Sequence, residues 1–174
     1  MASLMENLMD ILEQEAAGYE ELLKISMEKT KIIVSNNVDD LLHITETEQP
    51  VVDRVNALDK KRIETMNDIA GVMNRKIEEL TLPKLVEMLA ARPAEQDRLA
   101  QVTDRLKSAV QDTARINEQN RELLQNALDL VEFDLNIVRG LKAAPQTAEY
   151  TKGAINAGNQ MPLSRNAGRF DAKQ

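Results

Sequence analysis

Few residues in this chain could do chemistry. His43 is the only histidine in 174 residues, and there is no cysteine. Within one chain this excludes paired-histidine acid–base catalysis, multi-histidine metal sites, thiolate nucleophiles and Cys-ligated zinc. Di-iron bundles need repeated Glu-x-x-His pairs, whereas here a single Asp40-x-x-His43 occurs. His43 therefore reads as a solvent-facing or partly packed side chain. No Gly-rich phosphate loop and no nucleophile elbow is present. The many carboxylates read as solvated helix surface. No enzymatic activity, cofactor or metal is expected.

The informative pattern is apolar, on a long helical segment from about Leu99 to Leu141. At about 100° per residue, one stripe follows a heptad seam. It comprises Leu99, Val102, Leu106, Ala109, Ile116, Leu123, Ala127, Leu130, Ile137 and Leu141, with polar Thr113, Asn120 and Asp134 interrupting it. A second stripe starts late, with Leu124, Leu128, Val131, Leu135 and Val138. Together they span roughly 180°, against the ~100° of a helix facing one core. Three explanations are open. This half of the helix is sandwiched between two helices of its own bundle, or it receives a partner's helix, or it forms a homodimer seam.

Asn120 and Asp134 are the polar positions in this pattern. A polar residue on a seam commonly sets register between helices at some cost in stability, and Asn120 fits that role. Asp134 sits inside the wide apolar arc. It either pairs with a cation on a neighbouring helix or marks where a partner supplies the positive charge. The methionines, among them Met5, Met9, Met27, Met66, Met73 and Met88, most often fill core gaps, although Met-rich surfaces also serve adaptable binding.

The elements that position these residues are all helical. A first helix spans about 3–36, with Ser3 and Glu6 at capping-box spacing and a seam of Met5, Met9, Leu12, Ala16, Tyr19, Leu23, Ser26, Thr30 and Ile33. Asn36-Asn37 ends it and caps the next helix, whose first turn carries Asp39 and Asp40. That second helix spans about 38–80. Its expected buried positions are Leu41, Leu42, Ile44, Val51, Val52, Val55, Leu58, Ile63, Met66, Ile69, Ile77 and Leu80. Pro50 inside it predicts a kink, or a break at Glu48-Gln49, because an interior proline costs ~3 kcal/mol. A short connector helix follows at about 84–90. Pro93 then opens the third long helix, about 94–141. The reading is an all-α, elongated antiparallel three-helix bundle or coiled coil over 1–141. At ~1.5 Å per residue the third helix spans on the order of 60–70 Å. Residues 142–174, punctuated by Pro and Gly, read as a mobile C-terminal tail.

Composition agrees. The chain carries a net charge of −7. Residues 142–174 hold Lys142, Lys152, Arg165, Arg169 and Lys173 against Glu149 and Asp171, a balance of +3 that leaves −10 for residues 1–141. An acidic body argues against nucleic acid as the main ligand, since phosphate binding needs a concentrated basic face. No apolar run of about 18 residues occurs, so no membrane insertion is expected. The first residues have no basic region and no apolar run, so no secretory signal is read there.

The run Asn117-Glu-Gln-Asn-Arg-Glu-Leu-Leu-Gln-Asn-Ala-Leu128 lies in the long final helix. Together with the Asn36–Leu41 helix–helix entry and the long Glu-rich second helix, it resembles the FlgN family of flagellar export chaperones. Tyr150-Thr-Lys-Gly153 looks like the short tyrosine–glycine stretch that many members carry after the bundle. The resemblance implies a cytosolic chaperone without nucleotide hydrolysis. Its clients would be the hook–filament junction proteins FlgK and FlgL. It would bind their helical terminal regions, prevent premature assembly and deliver them to the flagellar type III export apparatus. The resemblance also implies client binding toward the C-terminal part. The expected client-binding residues are Asn120, Leu124, Leu128, Val131, Asp134, Leu135, Val138 and Tyr150. The alternative is a self-associating structural coiled coil, a homodimer joined through the same arc.

Overall fold

A computed structural model of the chain describes the backbone of residues 2–143 and the side chains of residues 4–142. The helices are α1 (Ala2–Val34), α2 (Val38–Val72), α3 (Leu82–Met88) and α4 (Pro93–Ala143), with a 3-10 turn at Ile77–Glu79. The fold is an all-α helical bundle, without a strand among the described residues. The chain divides into two compact units, Met1–Leu135 and Asn136–Gln174. Tyr150, and all of the tail assignment beyond Ala143, lie outside the described residues.

Side-chain pairs set the helix directions within the first unit. Along α1 and α2 they run in opposite order: Asn7 with Thr65, Glu15 with Arg62, Glu21 with Arg54 and Lys29 with Glu48. Along α1 and α4 they run in the same order: Asp10 with Arg98, Glu20 with Arg105, Ser26 with Asn117 and Thr30 with Asn120. The three long helices therefore alternate up, down, up. α1 is the helix packed on both sides. Its buried set adds Leu8, Ile11, Glu15 and Leu22 to the expected seam, while Leu23 is only half-buried. The wide apolar arc of a sandwiched helix thus belongs to α1.

The main core sits at the end where α1 starts. Met5, Leu8, Met9 and Leu12 meet Met66, Ile69 and Ala70 of α2, with Leu99 and Val102 of α4. Leu80, Leu85 and Leu89 close it from below. Leu8, Leu12, Ile69, Leu85 and Leu99 are fully enclosed, each contributing about 1.5–3 kcal/mol on burial. A small second cluster, Leu22 with Val51 and Val55, sits midway. There α1 and α2 approach so closely that a Cβ on Gly18 would lie 2.6 Å from Val55 Cγ2. Between the two clusters Glu15 is buried against Arg62, whose Nε donates to it at 3.2 Å, and Arg62 also pairs with Asp59. Burial pushes the Glu15 carboxyl up from its usual range, against the pull of Arg62.

Several expectations are corrected. α1 begins at Ala2, so Ser3 falls inside the helix rather than capping it. α2 ends at Val72, not Leu80. Asn74 adopts φ 50° there, with Arg75 N–H bonded to Ala70 O and Asn74 N–H to Gly71 O. That is the Schellman closure, which satisfies the last carbonyls and turns the chain away. Ile77 is consequently in the 3-10 turn. Leu42 and Ile63 are exposed, at 62% and 48%, and Met27 and Met88 are exposed too rather than filling the core. α2 runs through Pro50 without a break. Pro50 and Glu46 are exposed, so the Glu46 carbonyl that loses its helical donor can bond to water instead.

Candidate functional site

The α1–α2 hairpin turns in three residues. Asn36 takes φ 55° and closes α1 through Asn36 N–H to Ile33 O and Asn37 N–H to Ile32 O, with asparagine in the position glycine usually holds. Asn37 then caps α2, its side chain accepting from Asp40 N–H at 3.1 Å. Two helix ends are satisfied by one Asn-Asn pair, so the hairpin is short and its tip is well defined.

Below that tip, α4 is tied to α1 by polar contacts. Ser26 Oγ donates to Asn117 Oδ1 at 2.8 Å, and Thr30 Oγ1 donates to Asn120 Oδ1 at 2.6 Å. Asn120 Nδ2 donates to Ser26 O at 2.8 Å, and Thr113 Oγ1 donates to Tyr19 O at 3.2 Å. Asn120 is 4% exposed. Its amide is committed inside the bundle, so it is not part of an open face.

Past this layer α4 loses its cover. Leu123, Leu124 and Ala127 are half-buried. Leu128, Val131 and Leu135 are exposed at 63%, 55% and 48%. Within the first unit, no helix of the chain sandwiches this stretch. Leu130, expected on the inward seam, is 60% exposed, and Phe133 is 61% exposed. In the second unit the described residues are helical, with Ile137, Val138 and Leu141 exposed. The seam assignment for Leu130, Ile137 and Leu141 is therefore corrected. Heptad spacing persists in α4, but these side chains are exposed rather than packed in a seam.

Between the hairpin tip and α4 lies a groove of about 490 Å³. Ile32 and Ile33 of α1, Asn36 and Asn37 of the turn, and Val38 and Leu41 of α2 form one wall. Leu124, Ala127, Leu128, Leu130, Val131 and Asp134 of α4 form the other. Leu124, Leu128, Val131 and Asp134 are thus brought together. Leu135 is exposed on the same helix outside the lining, Val138 lies in the second unit, and Asn120 is internal. The hairpin wall was missed in the sequence because Leu41 was assigned to the core of the second helix. A usable signal existed: a turn at Asn36-Asn37 leaves α1 too short to cover the end of α4.

The fold and this face define an all-α bundle with one uncovered apolar helix face. The FlgN protein family profile matches residues 1–155, and the chain belongs to the FlgN family. It is also similar to an uncharacterized protein, YvyG, of Bacillus subtilis (strain 168). The two are 24% identical over 155 residues, covering 89% of each chain. No solved structure matches. Membership places the protein among flagellar export chaperones, a family not known for enzymatic activity. Among the described residues, no helix is long and apolar enough to cross a membrane.

Proposed function

We propose that the protein is a cytosolic chaperone for the hook–filament junction proteins FlgK and FlgL. It holds a helical terminal region of the client, blocks premature assembly and hands the client to the type III export apparatus. The observation that carries this reading is the apolar stretch of α4 from Leu124 to Val131 facing the hairpin tip, with Leu135 exposed beyond it. An amphipathic client helix laid there would follow helix-in-groove recognition, with anchors at helical spacing. Each apolar side chain that goes from half-exposed to buried adds on the order of 1 kcal/mol before association costs. Affinity of this origin needs no nucleotide. Val138 and Tyr150 extend the client contact in this reading, and Asn120 acts from inside by holding α4 in place.

The test is size-exclusion chromatography with light scattering, for the protein alone and mixed with FlgK or FlgL from the same organism. A complex of defined mass that is lost with Leu128→Asp plus Leu135→Asp, at unchanged helicity, is the expected result. A homodimer that ignores both clients would refute the client assignment and make the face a self-association seam.

A further inference from the structure

Asp134 is the single charged residue lining the groove, and the rest of its lining is apolar apart from the two turn asparagines. Among the described residues it has no ion-pair partner. Its helical neighbours at three and four residues are Leu130, Val131, Ile137 and Val138, none of which can neutralise it. Lys31 lies in the last turn of α1 but is not part of the lining. The first turn of α2, at the same tip, adds Asp39 and Asp40. The hairpin end is therefore negative as well as apolar.

This combination restricts what can cover the groove. An uncovered Asp134 is hydrated. Under a fully apolar helix it would lose its water and gain nothing, and a buried unpaired carboxylate is strongly disfavoured. The amino end of α2 offers only fractional charge, too little to replace hydration. We propose, resting on the reading above, that the groove selects an amphipathic helix carrying one Lys or Arg within its apolar stripe, and that Asp134 pairs with it and sets its register. The carboxylate then works against wrong occupants as much as for the right one, because wholly apolar or acidic helices leave it buried and unpaired.

The probes are two synthetic leucine-striped amphipathic peptides, identical except for Lys or Glu at the centre of the stripe. Each is titrated by fluorescence anisotropy into the full-length protein. The Lys peptide should bind at least ~30-fold more tightly than the Glu peptide, the loss typical when one member of a covered charge pair is wrong. Asp134→Asn should erase most of that preference, and Leu128→Asp plus Leu135→Asp should abolish binding of both. Equal affinity for the two peptides, binding of neither, or tighter Lys-peptide binding by Asp134→Leu would each overturn the proposal. Capture of FlgK or FlgL is scored separately. If the client is captured while the peptides bind equally, the charge selection fails and the chaperone reading stands. If the peptides are discriminated and neither client is captured, the selection stands and the client assignment fails.

Discussion

Replacing Gly18 with alanine should destabilise the bundle, although in an ordinary helix interior the same change stabilises. The propensity gain is ~1 kcal/mol. Against it stands a Cβ placed 2.6 Å from Val55 Cγ2, about 1 Å inside normal contact for two carbons. Val55 is 3% exposed and packs with Leu22 and Val51, and a β-branched side chain has one preferred rotamer in a helix. Relief must come from moving α1 away from α2, and overpacking of this kind costs ~1–3 kcal/mol. The net expectation is a loss of up to ~2 kcal/mol, and of ~1–3 kcal/mol relative to an unobstructed Gly→Ala change, read as a lower urea midpoint by far-ultraviolet circular dichroism. Gly71→Ala is the internal control, because nothing lies within 4 Å of a Cβ there. It should be neutral or stabilising by up to ~1 kcal/mol. In a Val55→Ala background, Gly18→Ala should lose its penalty. Gly18→Ala as stabilising as Gly71→Ala would refute the close approach of α1 and α2 at this level.

Two further predictions separate core from face and test the buried carboxyl. Leu8→Ala should cost ~2–5 kcal/mol as a fully buried large-to-small change, while Leu128→Ala at 63% exposure should stay within ~0.5 kcal/mol by the same urea titration; similar losses would mean the face is covered. Glu15 has its folded pKa raised by burial, so its stabilising contribution is present below the unfolded value and lost as pH rises through the folded one. Relative to Glu15→Gln, the parent should therefore lose stability as pH climbs from ~4.3 through the raised value, then level off. A flat difference, or one of opposite slope, would sink that assignment.

Much of the bundle was readable because its signals are local. The Asn36-Asn37 stop and cap, the Pro93 start and the apolar periods each depend on a few neighbouring residues. The end of α2 was not readable, since Asn74 in a left-handed conformation looks like any helical asparagine until its carbonyl partners are known. Pro50 left a kink or a break open, and the break does not occur; solvent access to the Glu46 carbonyl, which lowers the cost of the lost hydrogen bond, is not reported by a linear pattern. At the candidate site, the spare stripe on α4 was visible as composition. Which helix covers it was not, because cover depends on where α1 stops relative to α4. Leu41 and Leu130 were each placed on the wrong side of that boundary, whereas Asn120 sits on the α1–α4 seam where its spacing put it.

The paired contacts of Asn120 with Ser26 and Thr30 act as a length gauge. Sliding α4 by one heptad along α1 moves it roughly 10 Å. In one direction it sets Leu124 and Ala127 against the Ser26 and Thr30 hydroxyls. In the other it sets Asn117 against Ile33 and carries Asn120 up to Asn37, away from Ser26 and Thr30. Either way buried polar groups lose their partners, so the slide is disfavoured. What the gauge meters is how many turns of α4 stand uncovered past the hairpin. A slip in one direction would hide the apolar face, and in the other it would bare two more turns to indiscriminate association. The exposed length is thus set by a few hydrogen bonds in the interior, and selection on that length can act far from any residue that meets a partner.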